Sequence, residues 1–108
     1  MSASLPKPIA AYFAADKANG EAVARCFTPD GIVQDEGRTY QGTAEIKQWK
    51  AVTSAKYAYT SEPLASQLQS SIVVVTSRLT GTFPGSPVDL RYFFRLEGDK
   101  IASLEIRP

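Results

Sequence analysis

Two long stretches in the second half of the chain alternate apolar and polar residues, and this pattern limits the possible folds most strongly. Between positions 71 and 96, the apolar side of the alternation holds Val73, Val75, Leu79, Phe83, Val88, Leu90, Tyr92, Phe94 and Leu96. A period of two places such residues on one face of a β-sheet, with the polar residues on the other face. An antiparallel sheet with one apolar face has to bury it against another layer.

Helical segments earlier in the chain are predicted to supply that layer. The first runs from Pro8 to the break at Asn19-Gly20, the second from Asn19 to about Phe27, and the third over about 44–54, with Thr43 as its N-cap. Their buried faces are predicted to hold Ile9, Tyr12, Phe13 and Asp16 in the first, Val23, Cys26 and Phe27 in the second, and Ile46, Trp49 and Val52 or Thr53 in the third. The sequence therefore predicts an α+β fold, with three N-terminal helices packed on a strongly bent mixed or antiparallel sheet, as a single domain over residues 1–108.

A short strand is predicted between the second and third helices. Thr28-Pro29-Asp30-Gly31 is typical of a turn, and Ile32 to Asp35 follows as the strand. Alternation places Val33 and Asp35 on the same face. A loop between Gly37 and Gly42 then leads to the third helix. The helices and the sheet would form a cup, with the Asp35 carboxyl at the pocket end of this strand.

Charge and hydropathy argue against two classes of partner. The chain has 12 basic and 11 acidic residues, a net charge of +1, and no basic cluster of the kind that binds nucleic-acid phosphates. No apolar run approaches the roughly 20 residues that cross a bilayer. The first residues lack the charged lead and apolar core of a signal peptide. We therefore expect a cytoplasmic protein that binds neither nucleic acid nor membrane.

The chain contains no histidine and one cysteine, which restricts its chemistry. Catalysis by Ser-His-Asp or Cys-His groups is excluded. The acidic residues are scattered rather than clustered, so we expect no metal site and no cofactor. Cys26 falls among apolar helix positions, which favours a packing role.

The order of these segments resembles the NTF2-like superfamily, and most closely its SnoaL-like and ketosteroid-isomerase-like bacterial members. The segments that carry the resemblance are Tyr12-Phe13-Ala14-Ala15, Phe27-Thr28-Pro29-Asp30-Gly31 and Gly42-Thr43-Ala44-Glu45-Ile46. The resemblance covers nearly the whole chain. It implies the cup-shaped fold, but the superfamily includes isomerases, cyclases, dehydratases, hydrolases and non-catalytic binding modules.

Ketosteroid isomerases place four polar side chains around the cup, and the resemblance implies roles for two of them here. Tyr12 matches the tyrosine that donates to the oxyanion, and Asp35 matches the aspartate that moves the proton. Lys50 stands where the supporting tyrosine would be, and Tyr92 where the second acid would be. The SnoaL-like cyclases and scytalone dehydratase use histidine, so their mechanisms do not transfer to this chain.

The candidate site therefore consists of Asp35 and Tyr12 as catalytic residues, with a lining predicted from Val33, Trp49, Tyr57, Tyr92 and Phe94. Asp35 would be the general base, because a mostly apolar cup raises the pKa of a carboxyl group. Each assignment has a structural alternative. Asp35 would otherwise face solvent or bond the Gly37 loop, and the aromatic residues would otherwise be core or cross-strand packing.

Three functions remain open from the sequence. The first is a cofactor-independent enzyme acting on a small hydrophobic carbonyl compound, with Asp35 as base and Tyr12 as hydrogen-bond donor. The second is a non-catalytic binding module for a small hydrophobic molecule, and the third is a partner-binding domain with a filled cup. The superfamily resemblance also implies a homodimer through the outer sheet face, which carries Phe93 and the arginines Arg78, Arg91 and Arg95.

Overall fold

A computed structural model describes residues 5–56 and 58–108 of the chain. Its helices are α1 (Lys7–Asp16), α2 (Gly20–Ala24) and α3 (Thr43–Lys56). Pro8 lies in the first turn of α1, where a missing N–H costs no hydrogen bond. The Asn19 side chain caps α2 by accepting a 2.8 Å hydrogen bond from the Ala22 N–H.

Six strands form one mixed sheet: β1 (Phe27–Asp35), β2 (Arg38–Gln41), β3 (Tyr59–Gln69), β4 (Ile72–Gly81), β5 (Val88–Glu97) and β6 (Lys100–Arg107). The strand order is β2-β1-β6-β5-β4-β3. β1 runs parallel to β6, and the other neighbouring pairs are antiparallel. The α+β class and the mixed sheet agree with the sequence prediction.

Register shifts bend the sheet at three places. They lie in β1 between Phe27 and Ile32, in β3 between Pro63 and Ala65, and in β6 at Ala102, opposite Arg95 and Leu96 of β5. Extra residues of this kind interrupt the ladder and increase the local twist, so a sheet can curl around a layer of helices. The shift in β3 begins at Pro63, a residue type that sheets accept mainly on edge strands and at bulges.

Two boundaries near the first strand differ from the prediction. β1 begins at Phe27, so the second helix is shorter than expected, and the segment predicted as a turn at 28–31 is extended within an irregular strand. The predicted loop at 37–42 contains β2, which pairs with β1 from Ile32↔Gln41 to Asp35↔Arg38. Glu36 and Gly37 make the tight turn between the strands, with φ of 53° and 76°.

The core lies between the helices and the inner face of the sheet. Its fully buried members include Ile9, Tyr12, Val23, Val33, Ile46, Val75, Phe94, Ile101 and Leu104. The buried face of α3 continues through Trp49, Lys50 and half-buried Thr53, whereas Val52 is 54% exposed. Cys26 is half-buried and its thiol donates toward the Ala22 carbonyl, as expected for packing. In the part of the chain that the structure describes, no helix is both long and apolar enough to cross a membrane.

Candidate functional site

A cavity of about 520 Å³ opens between the helices and the sheet. Tyr12 of α1, Asp35 at the end of β1, and Trp49 and Lys50 of α3 border it. Tyr40, Tyr59, Leu79, Phe83, Leu90, Tyr92 and Ile106 complete much of the wall. A space of this size is in the range of small-molecule sites, and its wall combines aromatic side chains with the four charged residues Asp35, Glu36, Arg38 and Lys50.

The Asp35 carboxyl group is fixed in the cavity wall by the indole of Trp49. The Trp49 Nε1–H donates to Asp35 Oδ2 at 3.1 Å. Burial raises the pKa of Asp35, and the Trp49 hydrogen bond and the nearby Lys50 charge counter part of this effect. The carboxyl is therefore held in one orientation and is more basic than an ordinary aspartate.

Tyr12 lies at the floor of the cavity and is 2% exposed. Its ring packs edge-on against Phe13 at 5.1 Å and against Phe94 at 5.5 Å between centroids. Burial raises the pKa of the Tyr12 hydroxyl well above its usual range, helped by the negative charges of Asp16 and Asp35. The phenol therefore keeps its proton and acts as a hydrogen-bond donor.

A buried charged cluster lies beside the cavity, formed by Asp16, Lys50 and Tyr59. The Lys50 ammonium pairs with the Asp16 carboxylate and donates a hydrogen bond to the Tyr59 hydroxyl. Tyr59 in turn donates to Asp16 Oδ1 at 3.1 Å. The side chains of Lys50 and Asp16 are 3% and 6% exposed. Burying this ion pair is tolerable because each charge meets an opposite charge and a hydrogen bond.

Tyr92 connects the cavity wall to two buried serines. The Ser61 and Ser77 hydroxyls are 2.7 Å apart, and both side chains are buried. Burial raises the pKa of Tyr92, and its hydrogen bond with Ser61 opposes this. Tyr92 is therefore both a core aromatic and a polar group on the wall.

The structure separates the predicted lining into two groups. Trp49 and Tyr92 border the cavity. Val33 and Phe94 do not border it, because both are fully buried in the core, with the rings of Tyr12 and Tyr92 packed against Phe94. Tyr57 lies outside the described residues. These two core residues support the walls by packing rather than by contact with a ligand.

The sequence assigns no catalytic or binding role to Asp16 or Lys50, although each residue leaves a signal. Asp16 was placed on the apolar face of the first helix, where a carboxylate requires a partner. Lys50 falls four residues after Ile46, on the buried face of the third helix. Their pairing joins residues far apart in the chain, so local patterns could not reveal it.

A second, smaller cavity of about 190 Å³ lies on the other side of Asp35. Gln34, Arg38, Thr39 and Glu105 contribute polar groups to its wall. Asp35, Glu36, Arg38 and Ile106 border both cavities. The carboxyl therefore lies between an aromatic cavity and a polar opening.

Solved structures of similar shape place this geometry among known folds. A candidate polyketide cyclase from Sinorhizobium meliloti is 38% identical, with 95% of each chain covered and a TM-score of 0.90. A protein of ketosteroid-isomerase-like fold from Catenulispora acidiphila, in complex with trimethylamine, is 24% identical over 97% of this chain and 87% of its own, with a TM-score of 0.86. The epoxide hydrolase/cyclase-like enzyme SalBIII, which has a role in pyran ring formation in salinomycin, is 18% identical over 93% and 86%, with a TM-score of 0.78.

At 24% and 18% identity, the last two structures show a shared fold alone. No curated protein matches the chain. The family model of the SnoaL-like domain matches residues 9–104. The chain belongs to the SnoaL-like family.

Proposed function

We propose that the protein is a cofactor-independent acid–base catalyst that acts on a small, mostly hydrophobic carbonyl compound. The observation that carries the proposal is the Asp35 carboxyl group, which is fixed by Trp49 in an aromatic cavity with its pKa raised by burial. A base of this kind is suited to taking a proton from carbon beside a carbonyl group. The 38% identity to a candidate polyketide cyclase supports a reaction of the same general type.

In the proposed step, the Asp35 carboxylate removes the proton, and the electrons of the C–H bond move to the carbonyl oxygen as an enolate forms. Tyr12 stabilises the oxygen by donating a hydrogen bond, since its raised pKa keeps the phenol protonated. Where the enolate is conjugated with a C=C bond, protonated Asp35 returns its proton to the far carbon of the dienolate. Alternatively, the α-carbon attacks a second carbonyl carbon within the same molecule, and protonated Asp35 gives its proton to the alkoxide that forms. The first outcome is an isomerisation, and the second is a cyclisation.

Deuterium exchange tests this proposal without knowledge of the natural substrate. 2-Tetralone is a bicyclic hydrophobic ketone, and NMR in D₂O follows the loss of its α-protons. We expect the wild-type protein to accelerate exchange, and Asp35→Asn to return the rate to that of buffer. Tyr12→Phe should slow exchange by about 10²-fold, as removal of an oxyanion donor does in other enzymes.

Asp30→Asn is the matched control for this experiment. It makes the same chemical change on the same strand, at an exposed position remote from the cavity wall. The control should exchange 2-tetralone at the wild-type rate. Exchange by Asp35→Asn at the wild-type rate would remove Asp35 from the mechanism.

A non-catalytic binding module is the second candidate, and the Trp49 hydrogen bond to Asp35 favours it. This bond stabilises the charged carboxylate and so weakens it as a base, which suits a contact that recognises a ligand. The same experiment separates the two functions. A binding module would contact 2-tetralone, seen as saturation transfer from protein to ligand, with no acceleration of exchange in the wild type.

A further inference from the structure

Only one member of the Asp16–Lys50 ion pair borders the cavity. Lys50 borders the cavity, whereas Asp16 lies behind it and is absent from the wall. Lys50 is 2% exposed, the lowest value among the charged residues whose side chains the structure describes. A ligand in the cavity therefore meets the positive end of a fixed dipole, in a low-dielectric setting where its field is weakly screened.

The geometry of the ammonium group leaves capacity for a ligand. A lysine ammonium carries three N–H donors. Within the described structure, Asp16 and Tyr59 account for two of them. The group also lies 5.4 Å from the ring centroid of Trp49, and Tyr59 meets it through its hydroxyl, so aromatic side chains hold it in place. A charged donor held this firmly loses little side-chain freedom when it binds an acceptor.

We propose that Lys50 is the anion-binding residue of the cavity, and that the ligand places a negatively charged oxygen, as a carboxylate, phenolate or enolate, against its ammonium group. Asp16 and Tyr59 act as positioning residues, since they fix Lys50 from the protein side. The inference rests on the cavity being the ligand site, and it holds whether or not catalysis occurs there. Lys50 would supply charge-assisted binding of the oxygen, while Asp35 faces another part of the ligand.

The other charged residues of the cavity wall decide how the proposal has to be tested. Asp35 and Glu36 border the cavity and oppose the entry of an anion. Arg38 is the other cation on the wall, and it is exposed. A ligand anion is therefore repelled by two carboxylates in the wall. Any preference for anions has to come from a cation in the wall, either buried Lys50 or exposed Arg38.

A matched pair of probes isolates the charge of the ligand. 2-Naphthoate and 2-naphthamide have nearly the same shape and differ by one negative charge. By isothermal titration calorimetry at pH 7, we expect the wild-type protein to bind 2-naphthoate about tenfold or more tightly than 2-naphthamide, as a hydrogen bond to a charged group implies. Equal binding, tighter binding of the amide, or no measurable binding of 2-naphthoate at millimolar concentration would overturn the proposal.

Variants then assign the preference to a residue. The double variant Asp16→Asn with Lys50→Met removes both charges together, so neither is left buried and alone, and it should bind the two probes equally. Arg38→Gln is the matched cationic control and should keep the preference for 2-naphthoate. Loss of the preference in Arg38→Gln, or its retention in the double variant, would assign anion binding elsewhere.

A spectroscopic measurement on the wild-type protein covers the case in which the double variant does not fold. With ¹⁵N-labelled lysine, the Nζ resonance of Lys50 should shift on addition of 2-naphthoate and stay in place with 2-naphthamide. An Nζ resonance unchanged by saturating 2-naphthoate would refute the assignment. Neither readout depends on turnover, so failure here is distinguishable from failure of the deuterium-exchange test of Asp35.

Discussion

At the scale of single residues, the buried pair of Asp16 and Lys50 has two roles that conflict. It places a charge beside the cavity, but it also removes two ions from water, and burial of an ion is costly unless its partner remains. The Tyr59 hydroxyl satisfies both partners by accepting from Lys50 and donating to Asp16. The pair therefore behaves as one unit, and its members should not be replaceable one at a time.

We expect Lys50→Met alone to lower the free energy of unfolding by about 3–5 kcal/mol, because the Asp16 carboxylate is left buried without its cation. The double change with Asp16→Asn should recover most of that loss, since no unpaired charge remains. Urea denaturation of the two single variants and the double variant measures this coupling. Strictly additive losses would show that the two charges do not depend on each other.

The Asp35 carboxyl group should destabilise the folded protein at neutral pH. Its folded pKa is raised above the ordinary value of 3.8 by burial. At a pH between the unfolded pKa and the raised folded pKa of Asp35, the folded state binds more protons than the unfolded state. The free energy of unfolding therefore falls as the pH rises through this range. We therefore expect Asp35→Asn to raise the melting temperature at pH 7, and to raise it less as the pH approaches 3.8. A lower melting temperature at pH 7 would contradict this reasoning.

The same shift sets the pH dependence of the proposed reaction. Exchange requires the Asp35 carboxylate, so its rate should fall as the pH drops through a folded pKa that lies above that of an ordinary aspartate. The wild-type rate of 2-tetralone exchange, measured from pH 4 to pH 8, gives this midpoint. A midpoint at or below 3.8 would mean that another group limits the rate.

At the scale of elements, the start of β3 depends on a glycine in the neighbouring strand. Gly81 pairs with Tyr59, and a Cβ at this position would meet the Ala58 carbonyl oxygen and lie 2.7 Å from the Tyr59 Cβ. Only a residue without a side chain allows the strands to approach so closely. The position of Tyr59, and with it the buried charged cluster, therefore depends on Gly81.

We expect Gly81→Ala to lower the free energy of unfolding by about 1–3 kcal/mol, the usual range for overpacking. It should also weaken binding of 2-naphthoate, because Tyr59 shifts away from Lys50. Thr80→Ala, an exposed change on the same strand, is the matched control for urea denaturation and calorimetry. A variant with wild-type stability would show that the sheet absorbs the added methyl group freely.

The elements that sequence reasoning located best are those with a long, regular pattern. The alternation in β4 and β5 reports burial on one face, and Val75, Ser77, Tyr92 and Phe94 are buried accordingly. The pattern was less informative around β1. Pro29-Asp30-Gly31 has the composition of a turn, and it lies where the register between β1 and β6 shifts, between Phe27 and Ile32. β2 is too short to show a period.

The sequence predicts the position of a site residue where that position depends only on the residue's own strand or helix. Asp35 borders the cavity, as expected for a carboxyl group at the end of a strand facing the helices. The partners of each side chain were not predictable, because Trp49 meets Asp35 and Lys50 meets Asp16 only after the helices pack on the sheet. Contact across elements depends on distance in space, which a single sequence does not record.

At the scale of the whole molecule, the outer sheet face is the surface on which we propose a homodimer. Phe93 lies there between two guanidinium groups, 5.6 Å from Arg91 and 5.0 Å from Arg107. Arg78 and Asp89 form an exposed ion pair on the same face. Flat surfaces that combine an aromatic residue with arginines are common at protein interfaces.

Light scattering during size-exclusion chromatography tests the dimer. We expect twice the monomer mass at micromolar concentration, and the monomer mass for Phe93→Glu, because the new carboxylate would be buried at the interface. Circular dichroism checks that the variant remains folded. A monomeric wild-type protein would refute the proposal.

The parallel pairing of β1 with β6 has a consequence for how the chain folds during synthesis. β1 lies between β2 and β6, and Phe27 pairs with Ile101, so the first strand docks on the last. A ribosome adds about 5–20 residues per second, which separates the two strands by several seconds. Until β6 emerges, the apolar sides of α1 and α3 have no completed sheet to cover them. During that interval the nascent chain exposes apolar side chains that the finished fold buries.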